Sequence, residues 1–266
     1  MRKVNADLHN HLRTLSDMSK LSFNEVIDIA KQRLGAGGIL GIVNFNDERY
    51  EQFSNLPGYE RQDLGNGFYV PEKDILVVKG QEIPTKQGHI LVLGIEKGKH
   101  LKPGKDLEET IKESLDNDGI IIMDHPFYHA GVGEYIKQAP ILAECFDGIE
   151  VYNSEAELYI PRILPRNANE KARKLYEEVK EFSEIGALFS SDGHSLAEIG
   201  RSYTQLEMPE YGSIRDSNNL TNHLRNAIRL SKAHFGKAES SKFRASMHAG
   251  FIFFLNILKM LRIYTG

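Results

Sequence analysis

Residues 120–126 read Ile-Ile-Ile-Met-Asp-His-Pro, and this stretch carries the logic of the fold in miniature. The apolar run is brief, β-branched and hydrophobic on both faces, as a buried parallel strand should be. It stops abruptly on an acid, an imidazole and a proline. The same arrangement recurs along the chain. Ile39–Val43 runs into Asn44-Phe45-Asn46-Asp47, and Ile75–Val78 leads through Lys79 to Gly80-Gln81-Glu82. Ile149–Val151 contains Glu150 and ends on Tyr152-Asn153, while Ala187–Phe189 reaches Ser191-Asp192-Gly193-His194. Near the N-terminus, Val4-Asn5-Ala6 leads into Asp7-Leu8-His9-Asn10-His11. A further run, Ile90–Ile95, has its histidine, His89, at its start.

Helical patterns fill the intervals. Asn24–Leu34 opens on Ser22-Phe23-Asn24-Glu25, a Ser-x-x-Glu capping box. Leu107–Leu115, Glu134–Leu142, Glu170–Phe182 and Asn219–Ser231 follow with apolar residues at helical spacing. Strand then helix, about seven times over, predicts an α/β barrel or an open α/β sheet. Residues 54–73 bear Gly, Pro and Asn and read as a long loop after the second strand. Polar residues gathered at the carboxyl ends of several strands stand where barrel enzymes place their active sites.

The 266 residues suffice for one large core, or a core with a small appendage. Hydrophobic residues are 41% and charged residues 26%, which argues against general disorder. Cys145 is the sole cysteine, so an intramolecular disulfide and a Cys-rich zinc knuckle are both excluded. Any metal must then be held by His, Asp and Glu. The first residues lack the apolar segment of a secretory signal, so a cytoplasmic location is expected. Net charge is -4, with nine Lys/Arg against two Asp/Glu from Ser213 onward, which leaves -11 for residues 1–212.

In a strand, residues i and i+2 share a side, which aims His9 with His11 and Asp192 with His194 at one centre. Imidazoles with carboxylates suit zinc, manganese or iron, and a carboxylate such as Glu82 can bridge two ions. A bound divalent ion lowers the pKa of its water towards about 7, and two ions can clamp the attacking and leaving oxygens of a phosphoryl transfer. Such chemistry needs no nucleophilic Ser or Cys. Any one pair is weak evidence, because histidine is often a surface residue. Five strand-end placements in one chain are another matter. Cations near this face, Arg13, Arg49 and Arg201, are candidate phosphate contacts. His129, close behind His125, is a candidate ligand or proton donor.

Taken in order, Asp-Leu-His-Asn-His, Gly-Gln-Glu, Gly-His-Ile-Leu, His-Pro, Gly-Ile-Glu-Val-Tyr-Asn and Ser-Asp-Gly-His resemble the polymerase-and-histidinol-phosphatase (PHP) family over about residues 5–232. The resemblance implies a distorted (β/α)7 TIM-like barrel and a metal-dependent phosphoesterase holding two or three divalent ions. It also implies ligands. His9, His11, Glu82 and Asp192 would hold one ion, Glu82, His89 and His125 a second, and Asp17 with His194 a third. Glu82, Asp192 and His194 would be the catalytic residues. Family members carry Thr-Asp-His after the second strand, where this chain has Val43-Asn44-Phe45. Phe45 cannot bind metal. Either the third site is absent or weak, or Asn46 or Asp47 substitutes an oxygen ligand.

Two other functions compete. An amidohydrolase-like C–N or C–O hydrolase also uses His-x-His on a related barrel, often with a modified lysine bridging its metals. A degenerate, non-catalytic PHP module is the other. Acidic balance over residues 1–212 favours a small phosphorylated substrate over nucleic acid. The chain divides into a barrel, 1–232, and a basic, apolar C-terminal helical extension, 233–266. The apolar span of that extension, about 14 residues, is short of the ~20 a membrane-crossing helix needs. It suits a helix packed on the barrel, a self-association contact or a peripheral membrane helix.

Overall fold

The computed structural model describes residues 1–12, 21–45, 48–157, 167–232 and 236–238. Its strands are β1 (Arg2–Asp7), β2 (Gly38–Ile42), β3 (Gln62–Asp63), β4 (Gly67–Val70), β5 (Ile75–Pro84) and β6 (His89–Leu93). They continue with β7 (Ile120–Met123), β8 (Gly148–Asn153), β9 (Gly186–Ser190), β10 (Tyr203–Met208) and β11 (Gly236–Lys237). The helices are α1 (Phe23–Leu34), α2 (Arg49–Ser54), α3 (Leu107–Asp116), α4 (Gly133–Gln138), α5 (Ala168–Val179) and α6 (Ser217–Arg229). The apolar runs quoted above became strands within a residue or two, except that β5 runs on through Glu82.

These strands form one sheet in the order β11-β10-β1-β2-β5-β6-β7-β8-β9, rolled into a nearly closed barrel. β1, β2 and β5 run parallel, as do β7, β8 and β9. β6 is antiparallel to both neighbours, because β5 returns through a short turn at Gly88 (φ +141°) rather than through a helix. This is one departure from strict strand–helix alternation. Residues 54–73 are the second. Instead of a plain loop they contain the β3–β4 hairpin, and β4 extends the sheet beside β5. The helix expected over Glu134–Leu142 breaks at Ala139 before Pro140, which cannot continue it, and resumes as a 3-10 turn.

Three layers of packing hold the barrel. Val4, Ile39, Leu76, Ile120 and Leu206 fill its interior, and Leu220, Leu224 and Ile228 of α6 plug the end away from the polar strand ends. Outside, α1 packs on β2 and β5 through Val26, Ile27 and Leu34, and α5 packs on β8 and β9 through Ala172, Leu175 and Val179. Ser22 caps α1, its hydroxyl accepting from the Glu25 amide as expected. Gly41 is required where β2 passes the chain after β1, since a Cβ there would stand 2.2 Å from the Leu8 carbonyl oxygen.

The seam between β9 and β10 is closed by side chains rather than by a ladder. Thr204 Oγ1 accepts from the Phe189 amide (2.8 Å) and donates to the Phe189 carbonyl (3.2 Å). Higher up, the chain beyond β1 pairs directly with the chain beyond β9: the His11 amide donates to the Gly193 carbonyl (2.8 Å), and Asn10 bridges Gly193 in parallel. Buried Asp7 completes the joint by accepting from the amides of Ser191 (3.0 Å) and Gly200 (2.7 Å). Burial raises its pKa to about 6.

Of the extension 233–266, the described residues Gly236–Lys237 form β11 against β10, not helix. The rest of it, including the apolar span, lies outside the described residues, as do Arg13, Asp17, Asn46 and Asp47. Among the described residues, no helix is long and apolar enough to cross a membrane.

Candidate metal centre

Strand parity delivers the acids. Leu76, Val78 and Glu82 lie on one face of β5, Ile120 and Ile122 of β7 point into the interior with Asp124 next in line, and Leu188 of β9 is followed on that face by Ser190 and Asp192. All of these carboxylates are buried. Glu82 sits at the centre. Its Oε2 lies 3.0 Å from His11 Nε2 and 3.6 Å from His9 Nε2. Its Oε1 lies 2.7 Å from His89 Nδ1 and 3.2 Å from His125 Nε2. Burial opposes ionisation of Glu82, but His11, His125, His89 and His9 together hold its pKa well below the usual carboxylate range.

Around Glu82, two groups of buried donors each converge within 4.8 Å: His9, His11 and Asp192, and His9, Glu82, Asp124 and His125. Asp192 Oδ1 stands 3.4 Å from His9 Nε2 and 3.6 Å from His11 Nε2. The structure thus assembles His9, His11, Glu82, His89, His125 and Asp192 as the sequence expected. His194 joins at the rim, its ring stacked on His11 at 4.6 Å, with Nδ1 2.9 Å from the Asp192 carbonyl and 3.5 Å from Glu155 Oε2. Phe45 occupies the remaining side of His11, its ring stacked at 4.8 Å and meeting His89 edge-on at 5.8 Å.

Glu150 stands behind this layer. It accepts from His9 Nδ1 (2.9 Å), Ser190 Oγ (2.6 Å), the His125 amide (2.8 Å) and Asn153 Nδ2 (2.9 Å). That orients the His9 ring and aims Nε2 at Glu82 and Asp192, where loss of its proton to an arriving cation would free an electron pair. Burial opposes ionisation here too, yet His9, His125 and Ser190 depress the Glu150 pKa to about 2. Asn153 Nδ2 reaches on to Asp192 Oδ2 at 3.1 Å, tying the two acids together.

The imidazoles answer differently. Burial lowers the pKa of His11 to about 4, with His194 adding to the effect. His9 and His125 are also desolvated, but acids win. Asp192 and Glu150 push His9 well up, and Asp124 and Glu82 push His125 to about 10. The backbone is bent at the same places: Leu12 (φ +60°), His125 (φ +22°) and Asp192 (φ +50°) occupy a region that non-glycine residues avoid.

The expected phosphate contacts are partly placed. Arg49 donates from Nη1 to the His11 carbonyl (2.7 Å), bracing the ligand strand from outside. Arg201 donates from Nε to the Ala197 carbonyl (2.9 Å) in the loop after β9. His129 is exposed, and partial desolvation with nearby His89 and His125 lowers its pKa. Sequence reasoning assigned no role to Asp7, Asp124 or Glu150. Extending the inward parity of Ile120 and Ile122 by two residues would have reached Asp124.

By sequence, neither a family model nor a characterised protein matches the chain. Among solved structures it is similar to PsfC from Pseudomonas syringae PB-5123, at 16% identity and TM-score 0.62 over 95% of this chain and 98% of that one. It is also similar to the lesion-specific endonuclease Q of Pyrococcus furiosus, at 15% identity and TM-score 0.54. There it covers 89% of this chain but 57% of the endonuclease. Endonuclease Q in complex with a 27-mer duplex bearing an abasic lesion at its active site gives 15% identity and TM-score 0.52 over 89% of this chain. Identities this low show a shared architecture alone, that of an α/β barrel.

Proposed function

We propose that the chain is a metal-dependent phosphoesterase of the PHP family, with Glu82 shared between two divalent ions. The observation that carries the reading is the position of that carboxylate. Each of its oxygens faces a different pair of imidazoles, His9 with His11 and His89 with His125, and Asp192 lies opposite. The donors fit divalent ions. Both Asp124 oxygens are buried without a hydrogen-bond donor among the described residues, and Glu150 holds His9 Nδ1 so that Nε2 points to the centre. His9, His11, Glu82 and Asp192 would hold one ion, and Glu82, His89 and His125 the other, with zinc, manganese and iron all compatible. Bound ions would supply Lewis acidity to a phosphate ester and acidify a water beside it.

The chain's own groups do the remainder. Glu82 and Asp192, as ligands, would fix where the ions sit and so where they could hold a phosphate ester. His194, whose burial is outweighed by Glu155 and Asp192 so that its pKa rises, keeps a proton near the rim for a leaving oxygen. Phe45, stacked on His11, takes the place of a third-ion histidine and supports a two-ion count. A lysine-bridged amidohydrolase is disfavoured. Lys79, the buried lysine on the strand that bears Glu82, is held by Glu51 (2.9 Å) and the carbonyls of Glu96 and Lys99. A small phosphorylated substrate is favoured by the -11 balance of residues 1–212, while the shared barrel keeps nucleic acid in view.

The test is a panel of phosphomonoesters, a simple phosphodiester and oligonucleotides with and without an abasic site, run on metal-loaded protein. Release of phosphate or cleavage of any member, lost on chelation, is expected. Inactivity across the panel with both ions bound would sink the reading.

A further inference from the structure

We propose that Asp124 is a ligand of the ion on the Glu82–His125 side of the centre, an assignment that rests on the two-ion reading above. Consecutive residues of a regular strand point to opposite faces, so Asp124 and His125 should not both reach one point. They do. His125 takes φ +22°, and the bend swings its imidazole to the side that Asp124 already faces by strand parity, leaving His125 Nε2 3.5 Å from Asp124 Oδ2. Backbone in that region persists only where its surroundings hold it, and it gathers at functional sites.

The carboxylate itself is fully buried, and neither oxygen has a hydrogen-bond donor among the described residues. A buried carboxylate without donors must take up a proton or meet a cation. Glu150, equally buried and one strand away, shows the other solution, with four donors on its two oxygens. Asp124 instead places an oxygen in a group with His9, Glu82 and His125 whose atoms converge within 4.8 Å. Charge favours the same assignment. Glu82, Asp124 and Asp192, with Glu150 behind them, give the centre four carboxylates to set against divalent ions. The added oxygen also makes this side of the centre the harder one, suited to manganese or iron more than to zinc.

The experiment is a manganese titration of the full chain and its Asp124→Asn and Asp124→Ala variants. Ions per chain and both dissociation constants would be read by chelator competition, exchange coupling between the ions by electron paramagnetic resonance, and melting temperature with and without metal. Wild type should bind two ions with a coupled signal. Asp124→Asn should keep one ion within about twofold and weaken the other by more than ~100-fold, beyond what loss of a second-layer partner causes. Its spectrum should become that of an isolated ion, whatever the metal-free melting temperature does on losing the Asp124–His125 pair. Asp124→Ala should repeat the metal result if the amide disturbs folding. Retention of both ions within about threefold, or a lower metal-free melting temperature with both ions kept, would overturn the assignment. Two ions in a wild type that hydrolyses no phosphate ester would remove the proposed function and leave Asp124 as a ligand, whereas a wild type that binds no ion overturns both.

Discussion

The two sides of the centre solve one electrostatic problem in opposite ways. On the β1–β8–β9 side, the acids are tied into the protein. Glu150 takes four donors and Asn153 joins it to Asp192. On the β5–β6–β7 side, Asp124 has no hydrogen-bond donor on either oxygen among the described residues and faces only the His125 imidazole, at 3.5 Å. The first side is preorganised before any ion arrives, so its carboxylates shape the site. The second side is completed only by what binds there. Glu82 belongs to both, with one oxygen facing each.

The comparison breaks most severely at Glu82. Glu82→Gln removes the one negative group touched by four imidazoles, so both ions should be lost. Activity should then fall by more than about 10³-fold, as for groups that act as a unit. Metal-free protein should also lose about 3–5 kcal/mol, the usual consequence of removing one partner from a buried charge pair. Elemental analysis, turnover and denaturant melts check the three statements. A metal-free Glu82→Gln as stable as wild type would mean that the ring of imidazoles is uncharged without metal.

Glu150→Gln tests the preorganised side. The amide keeps one acceptor oxygen, so it cannot serve both His9 with Ser190 on Oε1 and the His125 amide with Asn153 on Oε2, and the hold on the His9 ring loosens. Metal affinity should fall about 10–100-fold while the stoichiometry stays at two. A loss of one whole ion would put Glu150 among the ligands and erase the contrast with Asp124.

Proton release is the next most visible effect. His125 titrates near 10 without metal and must be neutral to bind it, so loading at pH 7 should expel a proton. Apparent affinity should rise up to about tenfold per pH unit for each proton released, between pH 7 and 9. Metal-free stability runs the other way. A histidine whose folded pKa lies above its unfolded value stabilises fully below that unfolded value, near 6.5, and the contribution fades as pH climbs towards 10. Calorimetry in buffers of different ionisation enthalpy checks the first statement, and melts from pH 6.5 to 9 the second. A metal-free melting temperature that rises over that window contradicts the assignment of charge to His125.

Much of this was legible in the residues, and the parts that were not have physical reasons. Short apolar runs located β2, β7, β8 and β9, because a strand buried on both faces has few other compositions. Direction was not legible. Ile90–Ile95 reads the same whether β6 runs with or against β5, and only the turn at Gly88 decides. β10 carries no apolar run to mark it, and its Tyr203–Met208 alternates covered and open positions although it is paired on both sides. His9, His11, His89 and His125 are conspicuous by their type, and Asp192 by its spacing from His194. Asp7, Asp124 and Glu150 are ordinary acids by type, and their roles come from burial and from the number of donors around each.

The smallest expected effect lies at the seam that brings the two sides together. Thr204→Val keeps the shape of the side chain but removes both bonds to Phe189, leaving a buried amide without its acceptor. The cost should be about 1–3 kcal/mol, read as a lower denaturation midpoint with an unchanged slope. Metal affinity should stay within about twofold, because Asp192 is also positioned above the seam, by the Asn10–Gly193 bridge and the bonds from Ser191 and Gly200 to Asp7. A clear loss of metal in Thr204→Val would mean that those upper bonds do not suffice. The preorganised side would then depend on barrel closure along its whole height, and the contrast with the β5–β6–β7 side would be one of supporting structure as much as of hydrogen bonding.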